Sequence, residues 1–366
     1  MPTSELRTPS LTVLAGGVAV PGVMDLDIFA NAHLGAGRFR FRAAIPAVTA
    51  ASLLDPGTVL DLQLAVGGYP VSLLQGEADA IHVDVIQGTL EVEGRDLTGR
   101  LLDARTQETF ANQTASEIAT TLAGRHSLTP VVTATTTLAG RYYGAEHDRI
   151  VLGQFSRATT EWDLLTFLAA REGFEVFVAA QSLYFQPLSQ TAAPTILTPG
   201  DCLSLSLERS LTLARDIEVT VQSWNTRHQA AFSQTARSAA RGRGGSGGGK
   251  GSGGSGGNGP PQRIVVVRPN LTPNAALQLA QRILADLSGH ERLVHAELPG
   301  ELTLTPRSQI TLTGTGTDFD QTYYIAGLDR HFSVQHGFTE RLRLKNPNPV
   351  NSAAAGTDDS NAVGST

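Results

Sequence analysis

The sequence predicts a β-rich α+β protein in which a small α/β unit interrupts two β-rich stretches. Three observations carry this. Short runs of period-two alternation, punctuated by Gly and Pro, recur over residues 10–97 and again from Leu203 to Leu344, and such runs give strands with one buried face. Between them, two segments spell helices with recognisable start and stop residues. The 366 residues are 41% hydrophobic, which is enough to bury real cores, and the excess among the 38 glycines is local, twelve of them lying in residues 242–259.

In chain order, Leu11 and Val13 fall in one strand, Phe39 and Phe41 in the next, and residues 59–66 in a third; Ile81, Val83 and Val85 follow, then Leu90 and Val92. Val66-Gly67-Gly68 and Gln87-Gly88 are turn signals between them. An antiparallel barrel or sandwich is the natural closure of such a set. Thr114-Ala115-Ser116-Glu117 then spells a capping box, predicting a helix over 115–123 that ends at Gly124. A second helix starts near Thr160, places Trp162, Leu165, Phe167, Leu168 and Ala169 largely along one side, and stops at Gly173. Strands over 174–178 and 183–185 complete the unit.

Alternation returns at Leu203, Leu205 and Leu207, with Ser204, Ser206 and Glu208 between, and continues through Ile217, Val219 and Val221. After the Gly-rich insert come a strand over 264–267 and a helix opened by Thr272 and Pro273. Leu277, Ala280, Ile283, Leu284 and Leu287 form its apolar stripe, and Gly289 closes it. Final strands are expected at Leu302 and Leu304, at Ile310 and Leu312, over 323–326, and at Leu342 and Leu344. Residues 346–366 have no aromatic residue and few apolar ones, so a disordered tail is expected. The expected division is 1–98, a first β-barrel; 99–200, the inserted α/β domain; 201–345, a second β-barrel that carries a helix and the loop 242–259; and 346–366, the tail.

Charge says little about a partner, since 28 Lys plus Arg against 34 Asp plus Glu leave a net of only −6, whereas a dedicated nucleic-acid protein is usually basic. Cys202 is the only cysteine, so neither an internal disulfide nor a multi-cysteine zinc site is available. No charged-then-apolar leader opens the chain and no run approaches 18 apolar residues, so a soluble protein without a signal peptide is expected.

Three stretches together resemble the baseplate hub family of contractile tails, the phage late control protein D family, related to the hub part of VgrG-type spike proteins. Residues 88–103 are similar to its strand leading into a Gly-Arg-Asp-Leu turn, here Gly94, Arg95, Asp96 and Leu97. Residues 161–176, with Trp162, Gly173 and Phe174, resemble its helix-Gly-Phe-strand unit. Tyr323-Tyr324-Ile325, followed by His331-Phe332-Ser333 and Gly337-Phe338-Thr339, is similar to its closing strands.

The resemblance implies two tube-like antiparallel β-barrels per chain and a homotrimer whose six similar barrels match a hexameric tail tube on one side and a trimeric spike on the other. It also implies no cofactor, no catalysis, and synthesis in the bacterial cytoplasm before assembly into a virion tail or injection particle. The partners it implies are the tube protein, a spike protein, and baseplate wedge or adaptor proteins. In the resting assembly it implies no membrane contact, and nucleic acid meets the chain only by passage through the lumen.

Several residues admit other chemical readings. Within the insert, Gly244-Gly245-Ser246-Gly247-Gly248 fits a nucleophile elbow and residues 242–247 a dinucleotide fingerprint, but both require a strand before and a helix after, and here glycine lies on either side. Glu172 with Glu175, or Asp318 with Asp320, could serve as acid and base of a tail-associated cell-wall hydrolase, but no aromatic-lined cleft signature accompanies them and solvated turns are the favoured reading. His331 and His336 lack zinc spacing, and Cys202 opens an alternating strand as a small hydrophobe would. Arg241, Arg243 and Lys250, in a segment without acids, are candidate phosphate contacts, against a spacer role.

Overall fold

The computed structural model describes residues 9–32, 35–45, 55–106, 110, 112–136, 138–139, 160–187, 193–211, 217–225, 230–237, 262–269, 271–346 and 354–355. Strands β1 (Pro9–Ala15), β2 (Val18–Ala19), β3 (Val23–Asn31), β4 (Arg38–Ala44), β5 (Val59–Val66), β6 (Val71–Asp84) and β7 (Thr89–Asp96) come first. Then follow α1 (Thr98–Asp103), α2 (Ala115–Arg125), β8 (Thr129–Val132), α3 (Glu161–Glu172), β9 (Phe174–Ala179) and β10 (Ser182–Pro187). β11 (Thr195–Leu197), a short 3-10 turn (Pro199–Asp201) and β12 (Ser204–Arg209) lead to β13 (Ile217–Asn225), β14 (Ala230–Arg237), β15 (Gln262–Val267) and α4 (Pro273–Ser288). β16 (Arg292–Pro299), β17 (Gln309–Leu312), β18 (Thr322–Ser333), β19 (Gly337–Lys345) and β20 (Ala354–Ala355) complete the order.

One 13-stranded sheet dominates, ordered β12-β16-β19-β18-β3-β4-β7-β6-β5-β1-β2, with β17 joined to β18 and β11 to β17. All its pairings are antiparallel except β11 with β17. β3 and β18 pair from Asp25↔Ser333 to Asn31↔Gly327, which welds the N-terminal half of the sheet to the C-terminal half. Each half curls around its own core. Leu26, Ile28, Phe39, Phe41, Leu62 and Val92 belong to the first, and Val294, Ile310, Tyr323, Ile325, Leu328 and Leu342 to the second. β4 shows how sequence sets this up: Phe39, Phe41 and Ala43 are buried while Arg38, Arg40 and Arg42 face outward, and each buried large side chain contributes roughly 1.5–3 kcal/mol. The β-rich α+β architecture of two barrel-like halves thus follows the sequence expectation.

The insert is a three-stranded sheet, β8-β10-β9, against α2 and α3, with Ile118, Leu122, Trp162, Leu165, Leu168 and Phe185 among its core. Both helices start in capping boxes, Thr114 with Glu117 and Thr160 with Asp163, each worth about 1 kcal/mol. Gly173 ends α3 in the left-handed region at φ 74. α2 runs on to Arg125, past the Gly124 expected to end it.

A further four-stranded sheet, β15-β13-β14-β20, pairs β15 parallel to β13. α4, capped by Thr272 with Pro273 in its first turn, is the helix expected in the second β-rich stretch. It packs on this sheet, burying Val219, Val221, Ala276, Ala280 and Leu284 in a separate core.

Some expectations are corrected. Leu302 and Leu304 do not form a strand. Gly300 lies so close under the Phe338 ring that a Cβ would collide with it, and Arg307 after Pro306 adopts φ 90, so the chain bends across this stretch instead of pairing. Residues 23–31 and 292–299, unassigned from sequence, are β3 and β16. Ile81 stands opposite the buried Val92 yet is 44% exposed at the edge of its sheet, and Val85, 74% exposed, falls in the turn after β6. Of residues 346–366, only Asn346 and Ala354–Ala355 lie within the described residues.

Candidate functional site

The Gly-Arg-Asp-Leu stretch ends β7 and opens α1, and each residue has a mechanical task. Gly94 turns toward the core, where any Cβ would collide with the Phe39 ring and the Glu77 carbonyl. The Arg95 guanidinium donates to both Asp79 oxygens at 2.7 Å and to both Asp103 oxygens at 3.1 and 2.8 Å. These hydrogen bonds raise its pKa and hold the Asp103 carboxyl below the usual carboxylate range. Asp96 accepts from the Gly37 N–H at 2.7 Å and the Thr98 N–H at 2.9 Å, tying the start of β4 to α1. Burial pushes its carboxyl up, against those hydrogen bonds. Leu97 is buried in the core of the insert.

The other positions singled out by resemblance are scattered. Trp162 is buried in the insert, and the Phe174 ring lies 5.4 Å from that of Phe185. Burial raises the pKa of the half-buried Tyr324 hydroxyl, which lies near Gly289. Gly337 makes the left-handed turn into β19 at φ 78, and Phe338 packs on Gly300. These residues hold separate cores and turns and do not converge on a pocket.

One residue missed in the sequence links three regions. Arg307 stacks its guanidinium 3.7 Å from the Phe177 ring centroid, donates to Glu175 at 3.1 Å, and donates to the carbonyl of Ala32 at 2.9 Å. It fixes the insert against both halves of the large sheet. Burial lowers its pKa, with Glu175 opposing. No signal in the sequence marks it, because its partners lie more than a hundred residues away.

The larger candidate surface is the non-core face of the sheet from β12 to β6. Side chains on this face meet across strands as opposite charges. Arg40 and His331 both meet Asp27, at 3.1 and 2.6 Å, and Arg42 pairs with Asp25. Arg341 reaches Glu297 at 3.4 Å, while Arg343 reaches Asp329 at 3.3 Å and Asn31 at 2.9 Å. Arg40 also lies 4.0 Å from Glu91. Each exposed pair adds only about 0.2–1 kcal/mol, but the face they make is continuous over both halves.

The alternative chemistries find no assembled geometry. Glu175 is committed to Arg307, and Glu172 lies on the far side of the Gly173 turn beside Arg282. Asp318 pairs with Arg292 at 2.7 Å, and Asp320 accepts from Thr315 and Gly316 within its own loop. His331 is engaged by Asp27, and burial pushes the Cys202 thiol up, away from reactive thiolate. Among the described residues there is no group of His, Cys, Asp and Glu able to hold a metal, and no helix long and apolar enough to cross a membrane. Arg241, Arg243 and Lys250 lie outside the described residues.

A β-rich chain with two sheet halves and an α/β insert has the fold of phage tail proteins. It matches the tail protein from Neisseria meningitidis MC58 with a TM-score of 0.67 and 17% identity, over 92% of this chain and 96% of that one. The prophage MuSo2 43 kDa tail protein from Shewanella oneidensis matches with a TM-score of 0.66 and 16% identity, over 95% and 100%. The E. coli c3393 protein, described as a component of the type VI secretion system with similarity to the T4 bacteriophage tail proteins gp27 and gp5, matches with a TM-score of 0.55 and 12% identity, over 92% and 76%. No curated protein sequence matches the chain. The chain belongs to the family described as the Alg8 N-terminal domain, whose model matches residues 47–334.

Proposed function

We propose that the chain is a structural component of the baseplate of a contractile phage tail or phage-tail-like injection system, and that it acts there as the hub, as the late control protein D resemblance implies. In this role three copies form a pseudo-sixfold ring joining a hexameric tube to a trimeric spike, without catalysis. One observation carries the reading: a single chain supplies two barrel halves fused into one sheet through β3 and β18, so three chains present six barrels. The division 1–98, 99–200, 201–345 and 346–366 fits this role, with β13, β14, β15 and α4 building an additional packed unit within the third part.

The ring would meet tube protein on one rim, spike on the other, and wedge or adaptor proteins outside. Gly94, Arg95, Asp96, Leu97, Trp162, Gly173, Phe174, Tyr324, Gly337 and Phe338 serve as fold positions in it. The continuous polar face lines the bore. Native mass spectrometry of the purified chain tests the reading. A trimer is expected, and a monomer at all concentrations up to those of an assembling particle overturns it.

A further inference from the structure

Among the described residues, β6 is the one long strand of the large sheet that loses a neighbour midway. It pairs with β5 only from Val71 to Glu77 but stays on β7 as far as Asp84. Residues 79–84 therefore present an edge of unpaired backbone groups, with Ile81 44% exposed on the core side of that edge. At the opposite end, among the described residues, β12 pairs only with β16, and its outer edge has no neighbour between the exposed Leu203 and Leu211. Each open edge is six residues long. Long open edges with apolar side chains invite another strand.

We propose that these edges join copy to copy: β12 of one chain pairs with residues 79–84 of the next. The inference rests on the ring reading and names its seam. The faces match. On β12, Ser204, Ser206 and Glu208 lie on the polar face and Leu205 and Leu207 on the core side. On β6, His82 stands opposite Glu91 on the polar face, and Ile81 and Val83 stand opposite the buried Val92 and Leu90.

Direction matches as well. From β12 through β16, β19, β18, β3, β4 and β7 to β6, neighbouring strands alternate, so β12 runs opposite to β6. Rotation about an axis roughly along the strands preserves that sense, and the seam is antiparallel. Full overlap sets Ser206 opposite His82, Leu205 opposite Val83 and Leu207 opposite Ile81. A pairing of β12 with β12 would need a two-fold axis, which a three-fold ring lacks. Three such rows at about 4.8 Å per strand close on a circle about 37 Å across before strand tilt widens it.

Disulfide trapping in a Cys202→Ser background tests the seam. Oxidised His82→Cys/Ser206→Cys is expected to give reducible dimer and trimer bands, while Ile81→Cys/Ser206→Cys, whose side chains leave opposite faces, gives none. A trimer by native mass with no bands from the first pair, or with bands from the second, overturns the seam and leaves the ring. A monomer overturns both. Ile81→Lys supplies a second readout: loss of the trimer with the unfolding temperature of the monomer unchanged is expected, and a persisting trimer refutes the seam.

Discussion

Removing either partner of the ion pair between Arg330 and Glu340 should be costly, and the two losses should differ in their response to pH. Glu340 is 0% and Arg330 6% exposed, and the guanidinium donates to the carboxylate at 2.6 Å. Arg330 also donates to the carbonyl of Leu304, holding the bent stretch that was expected to be a strand. In β18 it sits between Leu328 of one core and Phe332 of the other, so the pair lies where the two halves meet. Deleting one member of a buried pair costs about 3–5 kcal/mol, because the survivor is left charged and dry.

An arginine cannot shed its charge, so Glu340→Gln should cost about 3 kcal/mol at every pH from 5 to 8. Glu340 can shed its charge by taking a proton, and burial already pushes its pKa up, with Arg330 opposing. In Arg330→Met that opposition is gone. The penalty of a buried charge should then fall as pH drops, by at most about 1.4 kcal/mol per unit. Urea unfolding followed by far-UV circular dichroism at pH 5.5 and 7.5 measures both. A Glu340→Gln loss below about 0.5 kcal/mol, or an Arg330→Met loss that does not shrink toward acid, would refute the reasoning.

Two further outcomes are expected. Gly94→Ala should destabilise by about 1–3 kcal/mol or more, since its methyl must displace the buried Phe39 or the β6 backbone; a thermal midpoint indistinguishable from the parent would contradict this. Arg95→Ala should lose less stability in acid than at neutrality. Asp103, its carboxyl lowered by Arg95, contributes above the unfolded value of 3.8 and loses that contribution as pH falls through the folded pKa, so the gap between variant and parent midpoints should narrow from pH 6 to about pH 3.

What the sequence disclosed depended on whether a residue's neighbour along the chain decides its structure. The capping boxes at Thr114 and Thr160 and the left-handed Gly173 are local, and they were readable. So were β5, with Leu60, Leu62 and Leu64 buried at alternate positions, and the end of β19, where Leu342 and Leu344 alternate with exposed arginines. β3 escaped because Phe29 lies on its polar face, and β16 because Arg292 and Ala296 lie on its buried one. The separate sheet beneath α4 was hidden for a different reason: alternation at Ile217, Val219 and Val221 marks a buried face without saying what buries it. Arg307 and the open half of β6 depend on pairings across the fold, which no window of sequence contains.

On the broad face charges of opposite sign meet across strands, Asp25 and Asp27 beside Arg42 and Arg40, and Arg341 beside Glu297. A pattern that reverses every 4.8 Å or so has an electric field that dies away over about 1.5 Å above the side chains, well inside the screening length of any buffer. The surface is densely charged yet electrically quiet a short distance above its side chains.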